Sequence, residues 1–538
     1  MTKRRFIFFI ASLLSGLLLW QSFPPNIGCT SFVGFWGILM IEDELGKQNL
    51  RWSKLIFFGW SYFALLVWNV LSTWWVCLAS TEGGILALAA NPLLMTIPLI
   101  AFHTTKKRFG KIWGYISLRA YWIAFEFLHH RWQLAWPWLT LGNSLAQFPN
   151  MIQWYSFTGV LGGSLWILSM NIICFLGLKK IIVSGKNWHS VISIVPLFLL
   201  IVIPISSSNL ISHFKTDDGK KISVALIQPN IDPYNTKFDL ATIDMQVDTL
   251  IHLSERICDS TTDYVIWPET AIPQGVWLNK LESNNSIKRI RAFLSQYPKL
   301  KLVTGISAYQ HYDAHETSTA REDKYSGGWW DSFNSMLQLD SSSHWQVYHK
   351  SKLVPGVECI PYTDVFPFFQ KLVIDLGGTT GTLGTQPHRT VFSSGKDSIK
   401  IAPIICYESI YGDYVTEYVR LGAQVLAIGT NDGWWGNTDG YKQHMQYARL
   451  RAIENHRWVL RSANTGISCF IAPDGTVFQA TDWWKAAAIK QDVVLHSDLT
   501  FYAHYGDWLG WIALITSFVF LLWNGIEFIR TKRTLRKS

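Results

Sequence analysis

The seven cysteines of this 538-residue chain are scattered and include no CxxC pair. Such spacing indicates neither a zinc site nor a disulfide framework. No glycine-rich phosphate loop, nucleotide motif or metal-ligand cluster is legible, so no cofactor is expected. No internal repeat is present, which sets solenoids and propellers aside. Charge is sparse, at 16% of residues, and 47 basic against 38 acidic side chains leave a net +9. That balance suits either nucleic acid or a membrane surface, and position separates them. The basic residues cluster beside apolar segments rather than striping one soluble domain, so they are read as topological. No nucleic-acid partner is expected.

What the chain has in quantity is apolar and aromatic surface: 49% hydrophobic residues and 28 Trp. Indole rings collect at membrane interfaces. The first 210 residues read as seven apolar segments: Phe6–Trp20, Cys29–Ile41, Ile56–Leu78, Gly84–His103, Tyr115–His129, Phe157–Leu178 and His189–Ser206. An eighth, Trp508–Phe528, lies within the stretch 507–529 and precedes a basic tail over 530–538. Several approach the ~20 residues that cross a hydrocarbon core; the second is short and suits half of a helical hairpin. One set of loops carries Lys3, Arg4, Arg5, Lys47, Arg51, Lys54, Lys106, Lys107, Arg108, Lys111, Lys179, Lys180 and Lys186, with five more basic residues in the tail. The opposite short loops hold only Arg131. By the positive-inside rule both termini are expected in the cytoplasm, with the large polar region before the last span outside it. No small-x-small cleavage site follows Trp20, so the first segment is expected to be retained.

Two further features belong to this part. Arg119 and Glu126 fall seven residues apart on one expected helix, and intramembrane charge suggests function, although interfacial or paired placement explains it as well. The loop Trp132–Trp138, running on to Ser144, is amphipathic and aromatic, and suits the headgroup boundary.

From Lys221 to about residue 500 the texture changes to short strand-like runs alternating with helical patterns. The strands expected are Val224–Ile227, Tyr264–Trp267, Leu302–Gly305, Ile401–Ile405, Val425–Ile428 and Ser468–Ala472, with helices over Thr242–Cys258 and His444–Asn455. Asp313–Gly328 reads as a surface loop and Asp474-Gly475 as a turn. This is one α/β or layered α+β domain with a substantial core.

Three positions within it carry chemistry. The run Ile401–Ile405 ends in Cys406, and a nucleophile is best presented at the end of a rigid strand. Alone it is weak, because free cysteine is among the most buried residue types. Tyr264–Trp267 leads to Glu269, and Tyr348-His349-Lys350 precedes Leu353-Val354-Pro355. A carboxylate to move a proton, an ammonium for an oxyanion and a thiol to attack form an acyl-transfer set. Lys352 competes with Lys350 for the middle role, and either reads as a surface lysine by itself.

Seven motifs in order then resemble the apolipoprotein N-acyltransferases, membrane enzymes with a nitrilase-like domain. They are Ala225–Ile231, Ile266–Pro273, Tyr348–Pro355, Ile405–Glu408, Asn431–Gly436, Gln443–Glu454 and Leu460–Ile467. The resemblance extends to the whole chain through the eight spans and the domain between the last two. It implies an α-helical transmembrane bundle plus an α/β nitrilase-like α-β-β-α sandwich, with Glu269, Lys350 and Cys406 as the triad. The family's Lys-x-x-Leu-Val-Pro spacing selects Lys350 over Lys352. It further implies supporting roles for Glu358, Tyr407, Glu408, Trp434 and Phe238. The sequence departs from the family at Pro355-Gly356-Val357-Glu358, where Pro-Phe-Gly-Glu is usual, and at Phe238, where a tryptophan often follows the lysine. Glu358 and Glu408 serve equally as structural ion-pair partners, and Trp434 as a core or membrane anchor. His444 is read as structural, and Cys258, Cys359 and Cys469 as inert, with Cys359 the one to watch for mispairing.

The activity implied is ping-pong transfer of a fatty acyl chain from a membrane phospholipid, through a cysteine thioester, to the N-terminal amine of a diacylglyceryl-cysteine apolipoprotein. The protein is then a multi-pass, monomeric inner-membrane enzyme of a bacterium, with its catalytic domain on the periplasmic side. A membrane-tethered amidase would use the same triad with water as acceptor. A transporter or scaffold with a non-catalytic binding domain is the reading from another class.

Overall fold

The computed structural model describes residues 3–48, 52–184, 195–214, 219–324, 327–359, 362, 382–394 and 397–537. The chain divides into two compact units. One comprises Met1–Trp74, Gly84–Phe214 and Tyr505–Ser538; the other comprises Trp75–Gly83 and Lys215–His504.

The first unit is helical. Among the described residues six helices are long and apolar enough to cross a membrane: Lys3–Gln21, Ser53–Thr73, Thr81–Phe109, Tyr155–Ile181, Val195–His213 and Trp508–Thr534. The two remaining expected spans are helical but differ. Cys29–Ile41 becomes a 3-10 turn over Gly28–Val33 followed by the helix Trp36–Gly46. Eleven residues rise only about 16 Å, half of the ~30 Å hydrocarbon thickness. The segment expected at Tyr115–His129 is the helix Lys111–His129, which contains both Arg119 and Glu126. Glu126 accepts from the Trp122 indole and the Leu141 amide, each at 2.9 Å, which is a structural pairing. The expected span Ile56–Leu78 overshoots: the helix ends at Thr73, and Trp75–Gly83 belongs to the other unit. Residues 189–194 of the expected seventh span, with Arg51 and Lys186, lie outside the described residues.

The loop after His130, expected to suit the headgroup boundary, keeps Trp132 and Trp136 half-buried and Leu134 exposed at its start. It folds into 3-10 turns at Pro137–Leu139, Leu141–Leu145 and Pro149–Met151. Trp138, Leu139, Leu141 and Leu145 are buried. Such turns satisfy their own backbone groups, so an irregular segment can enter an apolar interior. Asn171 does the same service elsewhere. Its side chain accepts from Phe35 N and donates to Ser31 O, both at 2.8 Å.

The second unit contains fourteen strands among the described residues. In chain order they are β1 (Lys221–Gln228), β2 (Tyr264–Ile266), β3 (Ile272–Trp277), β4 (Lys301–Tyr312), β5 (Arg321–Glu322), β6 (Trp329–Leu339), β7 (Trp345–His349), β8 (Phe392–Ser393), β9 (Lys400–Ile405), β10 (Val425–Thr430), β11 (Trp458–Ala463), β12 (Cys469–Ile471), β13 (Val477–Phe478) and β14 (Ala487–Val494). One sheet has the order β14-β1-β2-β4-β6-β5, with β3 on β4 and β7 on β6; the other runs β13-β12-β11-β10-β9-β8. The central strands β1-β2-β4 and β9-β10-β11 are parallel. Their residues are buried on both faces, which is why they read as continuous apolar runs. Hydrogen bonds join the sheets face to face: Ser462 Oγ donates to Ile227 O and Ser468 Oγ to Gln228 Oε1, both at 2.8 Å.

Helices Ile243–Glu255 and Asn285–Leu294 cover the outer face of the first sheet through Val247, Leu250, Ile287 and Ile290. Helices Gly412–Arg420 and Asp439–Asn455 accompany the second. The result is the α-β-β-α sandwich. Strands β6, β7 and β14 were not expected from the sequence, and β4 runs well past Gly305. The stretch Asp313–Gly328, apart from residues 325–326, which lie outside the described residues, includes the short strand β5 rather than loop alone.

Asn171→Leu is expected to strand a buried amide and a buried carbonyl, each at a cost of about 1–3 kcal/mol. A thermal melt in detergent should show a clear drop; an unchanged melting point would count against the role given to Asn171.

Candidate active site

Cys406 follows directly on β9 and opens a 3-10 turn, Cys406–Ile410. Its φ is +46°, a left-handed conformation that costs a non-glycine residue on the order of 1–2 kcal/mol. Strain of this kind gathers where a side chain must be aimed. Burial, reinforced by the nearby charge of Glu269 and opposed by Lys350, pushes its thiol well above the ordinary cysteine value.

Glu269 lies three residues beyond β2, beside Thr270, which also has positive φ (+45°). The loop fits because β4 passes it at Gly305. A Cβ there would stand 2.4 Å from Thr270 N and 2.6 Å from Glu269 Cα. Gly305 N also donates to Pro268 O at 3.1 Å, fixing the turn. Lys350 follows β7 directly, and its amide donates to Asn334 O at 2.8 Å.

These elements converge on one buried ammonium. Lys350 Nζ is 2.8 Å from Glu358 Oε1 and 3.2 Å from Glu269 Oε1, with its side chain 1% exposed. Burial alone would pull its pKa down, but Glu358, Glu269 and Cys406 outweigh that and hold it well above the usual lysine value. Asn334 Nδ2 bridges the same carboxylates, at 2.8 Å to Glu269 and 3.0 Å to Glu358. Glu358 Oε2 accepts from Val354 N at 2.8 Å, so the glutamate is oriented from both ends.

Glu269, Lys350, Cys406 and Glu358 line one cavity of about 180 Å³, together with Asn334, Phe238, Asn431, Trp434, Trp435 and Ala79. Phe238 stacks on Trp434 at 6.1 Å, and Tyr234 meets the same indole edge-on at 5.2 Å. The volume falls below the roughly 300–1,000 Å³ that encloses a whole drug-sized ligand. It suits the reacting end of a long substrate.

Two of the expected site residues sit elsewhere. Glu408 is fully buried behind the cavity. Its Oε1 accepts from Tyr348 OH and Ser351 N, both at 2.7 Å, and its Oε2 from Ile405 N at 2.9 Å. It thereby ties the end of β9 to the segment just after Lys350. Burial raises its pKa, against hydrogen bonds from Tyr414, Ser351 and Tyr348. Tyr407 packs edge-on against Tyr411 at 5.4 Å, outside the cavity lining. Lys352 places its ammonium over the Tyr411 ring at 5.2 Å, apart from the carboxylate pair.

Asn334 is the functional candidate that sequence reasoning missed. It lies on an unexpected strand, and a lone Asn in Ser332-Phe333-Asn334-Ser335 carries no motif. Lys237 was passed over too. It is fully buried, its Nζ lies 3.4 Å from Glu269 O, and burial, opposed by the charge of Glu269, pulls its pKa down to about 7.

Among the described residues one group has metal-ligand spacing, His456, His496 and Asp498. His456 precedes β11, at the end of that parallel strand remote from the Cys406 side. Asp498 already has countercharge from Arg457 at 3.7 Å and a hydrogen bond from His456 at 3.0 Å. Cys258, Cys359 and Cys469 are free thiols, and burial pushes each up to about 12, which makes them poor nucleophiles.

Comparison with known proteins adds two domain matches. Residues 223–497 match the carbon-nitrogen hydrolase family, and residues 15–173 match the apolipoprotein N-acyltransferase N-terminal domain. An apolipoprotein N-acyltransferase of Chlorobaculum tepidum is 31% identical over 93% of this chain and 93% of its own length. One of Geobacter metallireducens is 27% identical over 94% of this chain and 92% of its own. Apolipoprotein N-acyltransferase 1 of Treponema denticola is 24% identical over 97% and 98%.

Two measurements probe this geometry. With its thiol held protonated, Cys406 should be alkylated by iodoacetamide at a rate still climbing beyond pH ~8.5, the ordinary thiol value. A plateau below pH 8 would contradict the raised value. Gly305→Ala should displace the Glu269 turn and lower turnover by on the order of 10²-fold, the scale of an ~1 Å misplacement. Wild-type turnover in that variant would sink the close-approach argument.

Proposed function

From the membership of this chain in the apolipoprotein N-acyltransferase family, we propose a mechanism in which Cys406 carries the acyl group between a phospholipid and a diacylglyceryl-cysteine apolipoprotein. The protein is a membrane-embedded acyltransferase of bacterial lipoprotein maturation. What supports this assignment of residues is the buried ammonium of Lys350, shared by Glu269 and Glu358 in the cavity that Cys406 lines.

Because the thiol rests protonated, attack requires a base, and Glu269 is that base. Its carboxylate takes the Sγ proton as sulfur bonds to the ester carbonyl carbon. The oxyanion that develops is met by Lys350 and by the backbone N–H after Cys406. Collapse breaks the carbon–oxygen bond, and the leaving alkoxide takes the proton from Glu269, releasing a lysophospholipid and leaving a thioester. The α-amine of the acceptor then attacks the thioester. Glu269 removes its proton and returns it to the departing Cys406 sulfur, and the product is an amide.

Glu358 keeps Lys350 charged while Glu269 cycles between its two states. Asn334 holds the two carboxylates apart. Phe238 and Trp434 form an apolar wall that limits water, which would otherwise hydrolyse the thioester. Glu408 and Tyr407 act at one remove, by holding the chain around Cys406 and Lys350. The catalytic unit faces the periplasm and both termini face the cytoplasm, as the basic loops require.

The carbon-nitrogen hydrolase match gives a second reading, in which water rather than an amine discharges the enzyme. Intact-protein mass spectrometry on enzyme incubated with phospholipid alone separates them. The expected result is one added fatty acyl mass, absent in Cys406→Ala and Glu269→Gln, stable in water and discharged by a diacylglyceryl peptide. Discharge by water alone would favour the hydrolase. No adduct with any phospholipid would remove Cys406 as the acyl carrier. For orientation, Ser343→Cys should react with a membrane-impermeant maleimide in intact spheroplasts, and Thr534→Cys only after permeabilisation. The reverse pattern would invert the topology.

A further inference from the structure

The mechanism above leaves unused a fully buried charged network around His444. His444, on the helix Asp439–Asn455, places Nδ1 2.9 Å from Asp432 Oδ1. Asp432 also accepts from Thr430 Oγ1 at 2.8 Å and from Arg461 Nη2 at 2.6 Å. His444, Asp432, Arg461 and Thr430 are all at 0% exposure. None of them is among the residues lining the cavity.

The other side of the imidazole reaches the nucleophile's own backbone. His444 Nε2 lies 2.9 Å from Ser409 Oγ and 3.2 Å from Cys406 O, and Ser409 Oγ donates to Cys406 O at 2.7 Å. Both ring nitrogens are therefore engaged, which fixes the tilt of the ring. The same ring meets Trp435, a cavity residue, edge-on at 5.5 Å.

An apolar cluster of equal volume would fill this interior as well as a buried ion pair does. What it could not do is set the direction of a carbonyl. That direction matters at Cys406 for two reasons. Its φ of +46° is one that an L-residue leaves unless held. The Cys406 carbonyl and the Tyr407 N–H share one rigid peptide plane and point to opposite sides, so pinning one aims the other.

We propose that His444, anchored by Asp432 and Arg461, is a positioning residue for the nucleophile. Through Ser409 and the Cys406 carbonyl it keeps Cys406 in the left-handed conformation that presents the thiol, and it aims the Tyr407 N–H that the oxyanion uses. This rests on Cys406 being the acyl carrier.

The test uses the full-length protein in detergent: wild type, His444→Gln, His444→Leu and Ser409→Ala. Two rates are read in each: acyl loading from phosphatidylethanolamine by intact mass, and alkylation of Cys406 by iodoacetamide without lipid. Gln can still hydrogen-bond at the Nε2 position, whereas Leu keeps only volume. His444→Leu should slow both rates by about tenfold or more, the rate equivalent of one or more lost hydrogen bonds. His444→Gln should recover to within about threefold of wild type, less than half a decade. The phospholipid concentration at half-maximal loading should not move, because no side chain of the network lines the cavity.

Equal slowing by Leu and Gln would show a packing role and overturn the proposal. So would a wild-type rate for His444→Leu, or a shift in half-saturation in place of the rate. If His444→Leu melts below the assay temperature, Ser409→Ala decides, since it deletes a single hydroxyl: slowing supports the proposal and an unchanged rate overturns it. A wild-type enzyme that alkylates but never loads acyl groups would instead remove the carrier role of Cys406, leaving the alkylation ratios to report on positioning alone.

Discussion

One ammonium organises the catalytic unit. Lys350 is buried to 1% exposure between two carboxylates. A lone charge could not be left there, because removing it from water costs several kcal/mol unless it is paired and hydrogen-bonded. The pairing demands Glu269 from one loop, Glu358 from another and Asn334 from β6 to orient both. Those demands in turn require Gly305, because only a residue without Cβ lets β4 run so close beneath Glu269. The cluster of two carboxylates and one ammonium carries a net negative charge when all three are ionised. Burial and the nearby charge of Glu269, against Lys350, hold the Cys406 thiol well above its ordinary value.

Around this centre two buried polar networks stand behind the residues that line the cavity. Glu408 spends its hydrogen bonds on Ile405 N, Ser351 N and Tyr348 OH, so that one buried side chain ties together the strand ends that carry Cys406 and Lys350. The Asp432–His444–Arg461 network lies beneath the turn that opens at Cys406. Both carboxylate oxygens of Glu408 are hydrogen-bonded, which is the condition under which buried polar groups rigidify rather than destabilise. The small cavity fits this division. In the proposed mechanism it admits only the reacting carbonyl, and the acyl chains stay outside it.

Much of this was legible in the sequence because it was written locally. Apolar runs of the right length marked six helices that can cross a membrane, and strand-length runs leading to Glu269 and Cys406, with Lys350 just ahead of Leu353-Val354-Pro355, marked the cluster. Parallel strands buried on both faces leave uninterrupted apolar stretches such as Ile401–Ile405 and Val425–Ile428. The strands that escaped notice, β6, β7 and β14, mix polar and apolar residues because they pair antiparallel or carry site residues such as Asn334. Asn334 therefore had no local signature. The helix expected through Leu78 stops at Thr73, and Trp75–Gly83 joins the other unit. Burial in a protein interior and burial in a bilayer use the same side chains, so hydropathy alone did not mark that boundary.

Composition and order by themselves determined that this is a membrane protein with an α/β domain inserted before its last span. They also pointed to a thiol, a lysine and a carboxylate in an acyl-transfer set, since hydropathy and strand-end chemistry are properties of short stretches. Only the tertiary structure decided which of the candidate residues share a cavity and which stand behind it. Glu358 and Glu408 look alike in the sequence, yet one faces Lys350 and the other accepts backbone amides. That distinction depends on which way a side chain points from a turn, and the direction is set by contacts between residues far apart in the chain.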